Sequence, residues 1–325
     1  MAIQKLSLVV LLCLNLLFSG CSFQGVSQNP NEPNPAGDLE LTGTALAVSG
    51  ALETPDFTLF TPTAAVVTPS PIVTPVFMPQ YPLAVVMVKE EEVLNVLANP
   101  NQADHVIATL PPHTTQISTT GKSQEVEGEV WVEIQTPENG TGWVKMVNLT
   151  EQVSSMAFCS DKKATALVGE FMGAVQVRDG QKLAQLVSPR RGLIIRHEWW
   201  NPEVHFQGSL VLENIFTDST VFDWGINNGS GQTIQASFKD EILPLIDDVQ
   251  GGSVQVCNSL EQGLASGGST GFIRWPGEYA NINYIAIYRP AVEGDELNWR
   301  TWAIGIEDVN GNPTIAILVQ YHWEI

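Results

Sequence analysis

The chain has 325 residues, with 15 Lys and Arg against 35 Asp and Glu and a formal charge of −20. Residues 22–81, 82–150 and 151–325 each carry more acid than base, which argues against a nucleic-acid ligand and against tight docking on teichoic acid or anionic headgroups, since phosphate binding rests on a basic footprint. Apolar content is ordinary, and nothing after the N-terminal run is long and apolar enough to span a membrane.

That run comes first. Met1 to Gly20 has the three parts of a secretory signal: Lys5, an almost wholly apolar Leu6 to Leu17, and the small pair Ser19-Gly20. It is too short to cross a ~30 Å hydrocarbon core as a helix. Cys21 follows at once. The stretch Leu17-Phe18-Ser19-Gly20-Cys21 resembles the lipobox of bacterial lipoproteins, with Phe18 where that family usually has Leu. The resemblance implies that Cys21 is lipidated and becomes the new N-terminus, placing the protein on the outer side of a bacterial membrane, where a second acyl chain makes attachment stable. The alternative is an ordinary signal peptide cut near an unrelated cysteine.

Residues 21–81 read as a tether. From Ser22 to Gln80 there is no Lys or Arg, and nine of the 20 prolines lie there. Each proline removes a backbone donor, so "NPNEPNP" and "TPTAAVVTPSPIVTPVFMP" predict an extended or disordered spacer.

Residues 82–151 change character. Short β-type runs at Leu83–Val88, Val106–Leu110, Thr114–Thr119, Glu129–Thr136 and Thr141–Leu149 are separated by turn residues, and "PENG" joins the last two as a hairpin. Alternation in the fourth run puts Val130, Val132 and Ile134 on one face and Trp131 and Glu133 on the other. Five short strands in so few residues predict a small all-β barrel. Leu94-Asn95-Val96, Pro100, Val106-Ile107, Leu110, Trp131-Val132 and Gly142-Trp143-Val144 make this segment similar to a bacterial SH3 domain. It departs from the family at Leu97, where an arginine is usual, at Ala98-Asn99, where serine and glycine are, and at His113, which replaces a glycine. Such domains often bind cell-wall peptides, so the resemblance implies a peptidoglycan-facing module with Asn95, Trp131 and Trp143 as candidate contacts. The alternative is a spacer that binds nothing.

Residues 155–325 predict an α+β domain. "DKKATALVGEFMGAVQV" has Ala164, Leu167, Val168, Phe171 and Met172 at helical spacing, with Asp161 as N-cap. "RDGQKLAQLVS" is a second helix. Gly192–Trp200 and Val204–Glu213 read as strands, and Ser237–Val249 as a helix with Ser237 and Asp240 spaced as in a capping box and Pro244 kinking it or delaying its start. "INYIAIYRP", "NWRTWAIGIED" and "PTIAILVQYHW" are three long strands, with "VNGNP" as the last hairpin. This order of elements resembles the nuclear-transport-factor-2-like (NTF2-like) cone. Trp224-Gly225, Gly229-Ser230-Gly231, Asn298-Trp299-Arg300, Asn310-Gly311 and the closing Tyr321-His322-Trp323-Glu324-Ile325 resemble an uncharacterised domain of secreted bacterial proteins, a likeness that transfers no activity.

Of four cysteines, Cys13 leaves with the signal and Cys21 carries lipid. Cys159 and Cys257 remain, an even pair in an oxidising compartment. A bridge would close a loop of about 100 residues and contribute up to ~4.7 kcal/mol in the chain-entropy model. Alternatively, Cys159 at a helix start is placed like the nucleophile of cell-wall cysteine peptidases, where a helix N-terminus would favour the thiolate.

Other chemistry is thin. In "RHEWWNPEVH", Asn201 stands where a zinc peptidase needs its second histidine, and His197 and His205 lack a third ligand nearby. "GGSTG" is followed by "FIRWPGEY", whose Pro276 opposes the helix that a nucleophile elbow requires. No catalytic residue, metal or cofactor is assigned. A ligand pocket at the open end of the cone would be lined by Asp223, Arg300, Trp302, Gln320 and His322; the alternative is that the tryptophans are core and the polar groups cap strand ends. The sequence therefore predicts a non-catalytic envelope lipoprotein that binds wall material through the barrel and a small ligand or protein partner through the second domain, which also offers a surface for homodimerisation. A wall hydrolase using Cys159 is the alternative.

Overall fold

The alternating apolar runs of the first region become strands β1 Leu83–Val85, β2 Leu94–Leu97, β3 Val106–Leu110, β4 Thr119–Val126, β5 Glu129–Gln135, β6 Thr141–Lys145 and β7 Leu149–Glu151. The computed structural model describes residues 79–325 apart from 103, 139, 228, 251–253, 261–273, 296–297 and 323–325; the signal segment, Cys21, the tether up to residue 78, the GGSTG run at 267–271 and Trp323 lie outside the described residues. A five-stranded sheet of order β3-β2-β6-β5-β4 and the pair β1-β7 enclose one core. Leu94, Val96, Leu110, Val132, Ile134, Val144 and Leu149 fill it. Gly142 has a close-approach role: a Cβ there would stand 2.5 Å from Val96 Cγ1 and 2.8 Å from Ile107 Cδ1, so only glycine lets β6 lie this near β2 and β3. Glu127 and Gly128 both take positive φ, the two-residue turn geometry that matches strand twist in a hairpin.

Three expectations change here. The run Thr114–Thr119 is not a strand: Gln116 has φ 60°, and only Ile117 bridges to Leu83 before β4 starts. Strand β2 occupies a segment outside the five predicted runs. Val130 is 47% exposed, at the hairpin end of β5 where no core remains to cover it.

The second region opens with α1 Ser155–Ser160, which was not predicted, then α2 Lys162–Val177 and α3 Gly180–Leu186. Asp161 caps α2 through Oδ1, which accepts from Lys163 N at 2.8 Å, as its position predicts. Ala164, Leu167, Val168 and Phe171 are buried on one stripe. Then come β8 Leu193–Arg196, β9 Val204–Phe206, α4 Ser209–Asn214, β10 Val221–Ile226 and β11 Thr233–Ser237. A π-helical turn at Phe238–Ile242 leads into α5 Leu243–Asp247. Ser237 caps that turn, with Asp240 bonded to its hydroxyl at 2.5 Å, and Pro244 sits in the first turn of α5, where its missing N–H costs nothing. The chain closes with β12 Val254–Cys257, β13 Asn283–Arg289, β14 Arg300–Val309 and β15 Asn312–His322. The strand expected over Val204–Glu213 ends at Phe206, because Gly208 turns the chain with φ 86° and α4 follows. The strand expected over Gly192–Trp200 ends at Arg196. The β10-β11 hairpin was not predicted; it seals the helical side by packing Phe222 and Trp224 on Phe206.

The main sheet runs β12-β13-β14-β15-β8-β9, with β15 and β8 parallel and its other pairs antiparallel. Both faces are covered. One packs Ile304, Ile306, Leu318 and Trp302 against α2, α3 and α5 residues. The other gathers Tyr279, Tyr284, Trp299, Ile317, Val319 and Tyr321, with Val86 of the first region inserted among them.

Val86 is part of a broader junction. Arg191, 1% exposed, donates Nη1 to Val147 O at 2.7 Å and Nη2 to Leu149 O at 2.9 Å while its Nε and Nη2 engage Glu307 at 2.9 and 2.7 Å. Glu151 at the end of β7 accepts from the backbone N of Asn310 at 2.6 Å, and Asn281 donates to Val85 O at 2.8 Å. These bonds make the two regions one compact unit.

Candidate functional site

On β5 and β6, residues that alternate with the core present a second face. Trp131 lies opposite Lys145 and Glu133 opposite Trp143, so the two indoles are diagonal neighbours on the outer side, both half-buried. Lys145 Nζ stands 5.8 Å from the Trp131 ring centroid, a cation–π distance. Glu133 is nearly buried between them. It accepts from Thr120 Oγ1 at 2.6 Å and pairs with Lys122 Nζ at 2.9 Å. Burial pushes its carboxyl up, but the bonds from Thr120 and Lys122, the Lys122 charge and the bond from Thr141 outweigh it and hold the group below the usual range. Asn95 is exposed on β2. Two residues on, Leu97 pairs with Trp143 and is 4% exposed: the position where the bacterial SH3 resemblance expects an arginine is a buried one here.

The candidates of the second region behave differently. Arg300 pairs in register with His322, and Trp302 with Gln320, so the long hairpin does bring four of the five together. The side chain of Gln320 is fully buried; with its amide oriented to suit its neighbours it donates to His197 O at 3.0 Å and accepts from Arg300 Nη1 at 2.9 Å. His322 pairs with the buried Glu198, His197 Nε2 with Glu241 at 2.9 Å, and Arg300 Nε with Asp248 at 3.1 Å. Burial lowers the Arg300 guanidinium from its ordinary pKa, against the opposing charge of Asp248. Trp302 is core: it is 2% exposed and donates Nε1 to Leu245 O at 3.0 Å. Asp223 stands apart from this cluster. It is exposed on β10, alternating with the buried Trp224, and accepts from Gly225 N at 2.9 Å. The arrangement is a set of mutually bonded polar groups at a sheet end, and the predicted lining of Asp223, Arg300, Trp302, Gln320 and His322 is corrected to this extent.

Cys159 and Cys257 form a disulfide with Cα atoms 5.7 Å apart, so Cys159 has no thiolate to offer as a nucleophile. His197 and His205 take separate partners, Glu241 and Glu203.

A network that sequence reasoning missed surrounds Glu203. Its carboxylate accepts from Arg196 Nη2 at 3.0 Å, from His205 Nε2 at 2.9 Å and from the Tyr279 hydroxyl, while Arg196 also pairs with Glu278. Burial alone would raise the Glu203 pKa, yet the bonds from His205 and Tyr279 and the charge of Arg196 bring it down to about 2. Burial and the Glu203 charge push Tyr279 up, so its hydroxyl keeps its proton. The density of charged and aromatic residues in "RHEWWNPEVH" was the available signal; Glu278 and Tyr279 reach it only through the fold. No family model, no curated protein and no solved structure matches this chain.

Proposed function

We propose that this protein is a lipid-anchored envelope protein, held through Cys21 on the outer side of a bacterial membrane, whose first region is an SH3-like barrel that binds wall polymer without chemistry. The observation that carries the reading is the outer face of β5 and β6, where Trp131 and Trp143 lie diagonal to one another with Lys145 and Glu133 between them. Half-exposed indoles beside a bonded carboxylate and a lysine offer flat apolar stacking with hydrogen-bonding groups at the rim. His113 adds support: it has φ 63°, a conformation that favours glycine, at the position where the bacterial SH3 resemblance has one.

The second region supports an α+β reading of the nuclear-transport-factor-2-like kind, with helices on one face of a mostly antiparallel sheet. In this proposal it carries the barrel and holds a small ligand or partner. The Cys159–Cys257 bridge weighs against the cysteine-hydrolase alternative.

The test is co-sedimentation of the protein with purified peptidoglycan sacculi. Retention is expected, and replacing both indoles by alanine should weaken it about tenfold, the equivalent of about 1.4 kcal/mol. Equal retention of parent and double variant, or none for either, would remove the barrel face as a wall-binding surface.

A further inference from the structure

A cavity of about 510 Å³ opens at the seam between the two regions, with Met87, Lys89 and Glu92 on one wall and Trp200, Glu203 and His205 on the other. Its volume lies in the usual range for small-ligand sites. Trp200 is 44% exposed and is held against Trp199 in a T-shaped contact with ring centroids 5.6 Å apart. A large aromatic ring left open on a concave wall is the kind of surface that a ligand covers.

The polar groups beside it are arranged in advance. Glu203 is bonded by His205, the Tyr279 hydroxyl and Arg196, and those bonds keep it ionised at any ordinary pH. An ionised carboxylate only accepts, so His205 Nε2 carries the donated proton, and its Nδ1 lies on a ring that is exposed. The two terminal nitrogens of Arg196 are already bonded to Trp199 O, Glu203 and Glu278. Lining cations and carboxylates thus pair largely among themselves, and the exposed Lys89 and Glu92 bring opposite charges. The lining mixes two cations, Lys89 and Arg196, with three carboxylates, Glu92, Glu203 and Glu278, so it offers no single-sign patch to an ion. What fits is an uncharged molecule with one apolar face for the indole and hydroxyl groups that both donate and accept.

We propose that the seam cavity binds a neutral saccharide, stacked on Trp200 with its hydroxyls on Glu203 and His205. The site is separate from the Trp131–Trp143 face and stands whether or not that face holds wall polymer.

The experiment is calorimetric titration of the full chain in detergent micelles with chitotetraose and with maltotetraose, using inorganic phosphate as the anionic comparison. It is run on the parent and on a Trp131→Ala, Trp143→Ala background, so that the seam is read alone. Saturable binding of at least one saccharide on both backgrounds is expected, with no response to phosphate. Trp200→Ala should weaken binding at least tenfold, His205→Ala about threefold, and Trp200→Phe, which keeps a ring, should stay within about threefold of the parent. Absence of saturable binding to either saccharide, binding indifferent to Trp200→Ala, or binding of phosphate in their place would overturn the proposal. Loss of binding only on the double-alanine background would also overturn it, by assigning the sugar to the barrel face.

Discussion

The first region and the second spend their polar residues in opposite ways. Residues 83–151 bury a small apolar core and turn Trp131, Trp143, Lys145 and Asn95 outward. Residues 155–322 cover both faces of their sheet and draw charged and amide side chains inside: Arg191, Glu198, Glu307 and Gln320 are all at most 1% exposed. A buried charge persists only when it is paired and its remaining bonds are filled. The lesson is that polar residues clustered in the second region chiefly bond one another, and the ligand surfaces we propose are the barrel face and the seam.

The largest predicted effect cuts the link between the regions. Arg191→Ala leaves Glu307 without its closest cationic partner and takes the donors from Val147 O and Leu149 O, so it should cost about 3–5 kcal/mol. Urea unfolding followed by tryptophan fluorescence should pass from one transition in the parent to two in the variant. A single transition shifted by less than about 1 kcal/mol would show that the regions do not depend on this junction.

Reduction of the Cys159–Cys257 bridge comes next. It spans 98 residues, all within the second region, and its loss should cost about 3 kcal/mol. In the Arg191→Ala variant only the second-region transition should move. An unchanged midpoint under reductant would mean that the staple adds nothing to this fold.

The smallest effect depends on pH. Asp308 is pushed from 3.8 up to about 6, first by burial and then by the charges of Glu151, Asp161 and Glu307. A carboxyl whose folded pKa is raised destabilises the fold most when it is ionised, above about pH 6, and this cost fades as the pH falls to about 4. Asp308→Asn should therefore gain about 1 kcal/mol at pH 7.5, allowing for solvent screening of a partly exposed group, and nothing at pH 4. Glu203 has the opposite sign: its folded pKa of about 2 lies below the ordinary 4.5, so its contribution is present at neutral pH and lost as the pH falls toward 2. Thermal melts of Asp308→Asn and parent at the two pH values separate these signs; an equal shift at both would refute the assignment to Asp308.

Much was legible wherever the signal was local. The stripe Ala164, Leu167, Val168 and Phe171 with its Asp161 cap became α2, and the three apolar runs near the C-terminus became β13, β14 and β15. The even pair Cys159 and Cys257 became a bridge. Where one residue broke a run, periodicity misled: Gly208 turned the chain after β9, and Gln116 kept Thr114–Ser118 from forming a strand. Of the predicted pocket, the register of β14 on β15 did bring Arg300 beside His322 and Trp302 beside Gln320. Whether those groups faced a ligand or each other depended on Glu198, Asp248 and His197, which come from three other segments.

Composition and local spacing alone determined the acidity, the Asp161 and Ser237 caps, the hairpin at Val309–Pro313 and the cysteine parity, because each is set by residues a few positions apart or by simple counting. Only the tertiary structure decided that β15 runs parallel to β8, that Arg191 joins the two regions through Glu307, that Leu97 is buried, and that Trp200 and Glu203 share a cavity with Lys89. Those outcomes rest on contacts between residues tens to more than a hundred positions apart, and the chain-closure cost of each is repaid only by the whole packed fold, which no local pattern records.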